Sequence, residues 1–184
     1  MVTHWDQILA QDPYVFAVAA NDHYGPDNAD PTLPARIRDS GKIILLAHAA
    51  SLDAVRDAFQ RGASFAVRDM GATKDLYPSI RSIVATDSTV TIGTDGAVAW
   101  IANGKRVAAA GPFLKISGLS PGYVRAEVSN GDGSIVYVQP FVIRPVGDAN
   151  GDGQVDSQDA AVCAAVASGA DQTADHIMAC RRRK

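Results

Sequence analysis

The hydrophobic pattern changes character about halfway along the chain. In residues 1–80, "YVFAVAA" (14–20) and "KIILLAHA" (42–49) are continuous apolar runs of strand length, as expected of strands buried on both faces. "THWDQILAQ" (3–11) reads as a short helix: Thr3 can cap it, and Trp5, Ile8 and Leu9 share a face. "SLDAVRDAFQRG" reads as a second helix, with Ser51 as N-cap, Gly62 just past its end, and Leu52, Val55 and Phe59 as its apolar stripe. "SFAVRD" (64–69) returns as a strand, and "NDHYGPDNADPTLP" (21–34) is a loop by its Pro, Gly, Asn and Asp content.

From about residue 82 the runs become shorter and alternate, with turn signals between them. "TVTIGT" and "AVAWIA" flank Asp95 and Gly96, while "AVAWIA" and "RVAAAG" flank Asn103 and Gly104. Both dipeptides suit two-residue hairpins, because they tolerate positive φ. In "YVRAEVS", Tyr123, Arg125, Glu127 and Ser129 alternate with Val124, Ala126 and Val128, which predicts one wet and one buried face. The fold class expected is an α/β segment (1–80), then an antiparallel β-sheet or sandwich (81–145), then a small C-terminal helical calcium-loop module (146–184).

Composition narrows the function classes. The 184 residues are 47% hydrophobic, enough to bury a core. A net charge of -3, with "RRRK" (181–184) as the only basic cluster, leaves no footprint for nucleic acid. No apolar run reaches the roughly 20 residues of a membrane span. "MVTHWDQILAQ" lacks the basic and apolar regions of a signal peptide, so the expectation is either a cytoplasmic protein or a fragment whose leader lies upstream. The two cysteines, Cys163 and Cys180, fit a disulfide between short helices of an exported chain, or two buried thiols.

The richest chemistry is in "GDANGDGQVDSQDAAV" (147–162). Calcium takes six to eight oxygens, and a twelve-residue loop supplies them from positions 1, 3, 5, 7, 9 and 12, with Gly at 6 for the bend. Asp148, Asn150, Asp152, Gln154, Asp156 and Asp159 fall at those positions, Gly153 at the sixth, and Val155 supplies an apolar eighth position to pin the loop to a core. An Asp/Gly linker would not be expected to meet all of these requirements together. Position 12 is Asp rather than Glu, which shortens the reach of that ligand, and Asp159 opens the helix-prone run "DAAVCAAVAS", where its charge suits a helix N-terminus.

With Asp at its last position, this frame resembles a type I dockerin repeat. The resemblance implies an extracellular calcium-dependent attachment module of the kind used in polysaccharide catabolism. It implies calcium ligands at Asp148, Asn150, Asp152, Asp156 and Asp159, with Gln154 acting through its carbonyl. A cohesin-like partner would be contacted near Ser157 and Gln158. Dockerins carry two such loops, whereas "DQTADHIMACRRRK" holds no second one, so 171–178 is expected to be a metal-free helix.

Upstream, Asp22 and His23 follow an apolar run, and His48 closes another. Carboxylate and imidazole together suit zinc or manganese, and strand ends are where α/β proteins gather ligands. The alternative is a loop-capping Asp22 and a hydrogen-bonded core His48. The order "WDQILAQDPYVFAVAANDHYG", "SLDAVRDAFQRGASFAVRD", "GYVRAEVSNGDGSIVYVQPFVI" resembles the C-terminal part of CehA-like metallohydrolases of the PHP superfamily. That resemblance implies phosphoesterase-like, metal-dependent hydrolysis with Asp22 and His23 as ligands. The chain has no His-x-His and spaces its pair as Asp-His rather than Asp-x-His. A truncated or degenerate hydrolase body is therefore expected, with hydrolysis as the alternative function.

Overall fold

The computed structural model describes residues 2–19, 41–70, 77–145, 147–172 and 180. The chain divides into two compact units: Met1–Gly118 with Tyr123–Phe141, and Val142–Lys184 with Leu119–Gly122. The first begins with helix α1 (Val2–Leu9), strand β1 (Gly41–Leu45), helix α2 (Leu52–Gln60) and strand β2 (Ser64–Arg68). Strands β3 (Ile80–Ala85), β4 (Thr89–Thr94), β5 (Ala97–Ala102), β6 (Lys105–Ala110), β7 (Phe113–Lys115), β8 (Gly122–Ser129), β9 (Ile135–Val138) and β10 (Phe141–Ile143) follow.

Antiparallel pairing dominates. The larger sheet runs β1-β2-β9-β8-β5-β6 and the smaller β3-β4-β7. Although a helix joins them, β1 and β2 pair antiparallel, with Ile43 opposite Ala66, and β2 continues onto β9 with Val67 opposite Val136. The segment with α/β character thus extends the same sheet as the later strands.

Register explains which side chains are buried. Trp100 faces Ala126, Val98 faces Val128 and Val128 faces Val136, so these residues share one surface of the larger sheet. Trp100, Val124, Ala126, Val128 and Val136 are all fully buried there. In the smaller sheet Val90, Ile92 and Leu114 are buried as well. Burying a side chain of this size contributes roughly 1.5–3 kcal/mol, so these residues dominate the stability of the unit.

The opposite surface of β8 departs from the expected alternation. Tyr123 and Arg125 are buried, at 1% and 0% exposure, because α1 covers them. Asp6 accepts from Arg125 Nε at 2.8 Å, from Arg125 Nη2 at 2.7 Å and from the Tyr123 hydroxyl at 2.8 Å. Glu127 takes Arg125 Nη1 at 2.8 Å, and the Trp5 ring lies 4.9 Å from the guanidinium carbon. A bidentate carboxylate, a second carboxylate and an aromatic face make a buried guanidinium tolerable.

Three further expectations are corrected. Residues 14–19 form no strand: Val15 O accepts from Trp5 Nε1, and both backbone groups of Ala17 are bonded by the amide of buried Gln139. A side chain takes the place of a neighbouring strand there. Asp95 and Gly96 do not close a hairpin; β4 pairs with β3 and β7, and β5 with β6 and β8, so the chain changes sheets there. Gly96 suits this crossing because a Cβ would come within 2.7 Å of Val128 Cγ1 and 2.8 Å of Pro78 Cβ. Helix α2 has its expected Ser51 cap, yet it buries Ala54 and Ala58, while Leu52 and Phe59 are exposed. Small residues allow its backbone to approach the protein closely, so the larger apolar side chains are left on the rim.

The hairpin across Asn103 and Gly104 forms as expected between β5 and β6, with φ of 47° and 75°. Strand β1, by contrast, is only half-buried rather than covered on both faces. Among the described residues, no helix is long and apolar enough to cross a membrane. The second unit contains helix α3 (Ser157–Ala167) and a disulfide between Cys163 and Cys180, whose Cα atoms are 5.4 Å apart.

Candidate metal centre

The loop at 148–159 is organised from its two ends. Asp148, at 1% exposure, accepts from Gly151 N at 2.7 Å through one oxygen and from Gly153 N at 3.0 Å through the other. Asp159, fully buried, accepts from Ala149 N at 2.6 Å and Asn150 N at 3.2 Å, and its second oxygen takes Asp156 N at 2.7 Å. The twelfth residue therefore reaches back to the second and third, and the loop is closed on itself.

The local sequence explains this closure. Gly153 adopts φ 86°, a conformation that side-chain-bearing residues rarely take, and so turns the chain at the sixth position. Asn150 Oδ1 accepts from Asp152 N at 3.0 Å, and Asp152 Oδ1 accepts from Gln154 N at 2.9 Å, a pair of successive turns built by short polar side chains. Asp156 caps α3, with its side chain accepting from Gln158 N at 2.7 Å. Asp156 and Asp159 together form a capping box, so the ninth and twelfth positions of the loop are also the N-cap and third residue of α3.

The carboxylates are turned to backbone amides, and among the described residues no group of three His, Cys, Asp or Glu side chains converges as a metal cage. The donor set is nonetheless all hard oxygen: four carboxylates and two amide side chains within twelve residues, the chemistry that calcium prefers. Val155 is 52% exposed, so the apolar eighth position does not pin the loop to a core as expected. Ser157 and Gln158 are exposed on the first turn of α3.

The second constellation is not assembled among the described residues. Asp22 and His23 lie outside the described residues, as does most of the expected metal-free helix at 171–178. His48 sits in the bend after β1 and is exposed rather than a core histidine.

Two features escaped the sequence reading. One is the Asp6–Arg125–Tyr123 cluster, in which Asp6 lies 117 and 119 residues from Tyr123 and Arg125, with no local signature. Burial and the hydrogen bond to Asp6 push the Tyr123 hydroxyl up to about 12. For Arg125, burial works to lower the pKa, but the hydrogen bonds to Asp6 and Glu127 outweigh it and the net shift is upward. The other is an open, largely apolar cavity of about 500 Å³ bordered by Trp5, Ile8, Phe16, Val67, Arg68 and Tyr137. Its lining combines α1, residues 15–19, β2 and β9, so no single stretch of sequence announces it.

No protein family, curated protein or solved structure matches this chain.

Proposed function

We propose that the second unit binds calcium through the loop at 148–159 and serves as a dockerin-like attachment module of an exported protein. The observation that carries this reading is the closure of the loop by its first and last carboxylates, both buried, around a positive-φ glycine at the sixth position. Four carboxylates within twelve residues concentrate negative charge, and a divalent cation is a partner that neutralises several at once. Asp148, Asn150, Asp152, Asp156 and Asp159 would hold the ion with their side chains and Gln154 with its carbonyl. Bound there, calcium would supply fixed positive charge that orders the loop and the start of α3.

The exposed Ser157 and Gln158 are the positions offered to a cohesin-like protein. The disulfide supports an oxidising, extracellular setting. The metallohydrolase-like body, with zinc or manganese at Asp22 and His23, stays a proposal from resemblance, since the one described candidate is the exposed His48.

The test is a calorimetric calcium titration of the full chain. Binding is expected at roughly micromolar concentration or tighter, and Asp152→Ala is expected to abolish it. Absence of calcium heat up to millimolar metal would rule the reading out.

A further inference from the structure

We propose that the Cys163–Cys180 disulfide sets the calcium affinity of the loop, making the centre redox-sensitive. The inference rests on the calcium reading above and deepens it to the regulation of the same site.

The argument begins with what holds α3. The helix has 11 residues, and its only buried residue is Asp159. A helix of that length is marginal in water without a buried apolar face, and the apolar face of α3 (Val162, Cys163, Ala165 and Val166) is only half-buried. Two further devices support it. One is the capping network at its start, where Asp156 and Asp159 bond the amides of the loop. The other is the disulfide, attached one turn further along at Cys163 and closing a separation of 17 residues.

Positions four apart lie on the same helical face, so Cys163 follows Asp159 on the side that meets the loop. The ninth and twelfth loop positions are the N-cap and third residue of α3, so their placement in the loop depends on the first turn of α3 being formed. Calcium binding is thereby linked to helix formation, and the apparent dissociation constant rises as the fraction of molecules with a formed helix falls. A cross-link over a loop of this length removes disordered alternatives and shifts the formed-to-unformed ratio by about a hundredfold in the chain-entropy picture.

The redox step is a thiol–disulfide exchange with a dithiol. One thiolate of the dithiol attacks a cysteine sulfur, the S–S bond breaks, and the second thiolate displaces the mixed disulfide. The products are two cysteine thiols and the cyclic disulfide of the reductant, which has supplied two electrons and two protons.

The experiment uses the full chain. Calcium chloride is titrated calorimetrically into the oxidised protein, the dithiothreitol-reduced protein, and a Cys163→Ser/Cys180→Ser variant, with tryptophan fluorescence confirming that the β unit is folded in each. Reduction and the double substitution are both expected to weaken binding by about tenfold to a hundredfold. By reciprocity, saturating calcium is expected to raise, by the same factor, the dithiothreitol needed to free half the thiols, read by alkylation and mass.

Equal calcium affinity in oxidised and reduced chain, with no shift in the reductant midpoint, overturns the coupling and leaves the calcium site standing. Weak binding by the serine variant alone, with reduced wild type as tight as oxidised, overturns it too. An oxidised chain that takes no calcium overturns the reading of the loop and this inference with it.

Discussion

Two carboxylates in this chain, Asp6 half-buried and Asp148 fully buried, are handled in opposite ways. Asp6 in the β unit is neutralised from within: Arg125 meets both of its oxygens, at 2.7 and 2.8 Å, and Tyr123 adds a third hydrogen bond. Asp148 in the second unit is more buried still, yet its two oxygens are met by the amides of Gly151 and Gly153. Amide dipoles stabilise a carboxylate without cancelling its charge. The first arrangement supplies its own cation and locks a helix onto a sheet. The second folds the loop around its carboxylate with the loop's own amides. Burial of an acid thus marks structure in one case and a candidate site in the other, and the identity of the donors is what separates them.

The sharpest way to break the comparison is Asp6→Ala. It strands the fully buried Arg125 with Glu127 as its remaining carboxylate, and removal of one member of a buried pair costs about 3–5 kcal/mol. Urea denaturation followed by tryptophan fluorescence should show that loss, while the calcium titration is unchanged. A loss under about 1 kcal/mol would mean that apolar contacts, not the ion pair, hold α1.

The next largest effect is alkaline. Tyr123 titrates near 12 in the folded chain against an ordinary value of 10, so the folded state keeps its proton more firmly. The corresponding stability is fully present below pH 10 and is lost as the pH rises through about 12. Roughly 2–3 kcal/mol should disappear across that window. Tyr137 is also raised, chiefly by burial, so the informative quantity is the difference between wild type and Tyr123→Phe. Identical pH profiles for the two proteins would remove Tyr123 from the cluster.

The smallest effect falls in the loop. Asp156→Ala removes the N-cap of α3 and should weaken that helix by about 1 kcal/mol. Amide hydrogen exchange would read it as faster exchange through α3, with the denaturation midpoint of the β unit unmoved. Unchanged exchange would show that the capping box does not hold the helix.

How much of this could be read in advance depended on range. Ser51 as a cap, and Asn103 with Gly104 as a turn, act on their immediate neighbours, and the structure agrees at each. The spacing of residues 148–159 was equally readable, because its hydrogen bonds span ten residues or fewer. Asp95 with Gly96 misled, because a dipeptide suited to a tight turn says nothing about which strands its neighbours pair with. Tyr123 and Arg125 misled for a related reason: alternation marks two faces but cannot tell whether a distant helix covers the polar one.

The sequence by itself determined the Ser51 cap of α2 and the turn at Asn103 and Gly104, that strands would dominate the middle of the chain, and which twelve residues carry hard-oxygen donors. Thr3, by contrast, expected to cap α1, lies within a helix that begins at Val2. Only tertiary structure decided that β1 and β2 join the larger sheet, that α1 carries its Asp6 to Arg125, and that residues 14–19 are held by Gln139 instead of a strand. The physical reason is the same throughout. Caps, turns and short loops are set by local torsions and nearby hydrogen bonds, whereas pairing and burial are won in competition among segments far apart in the chain.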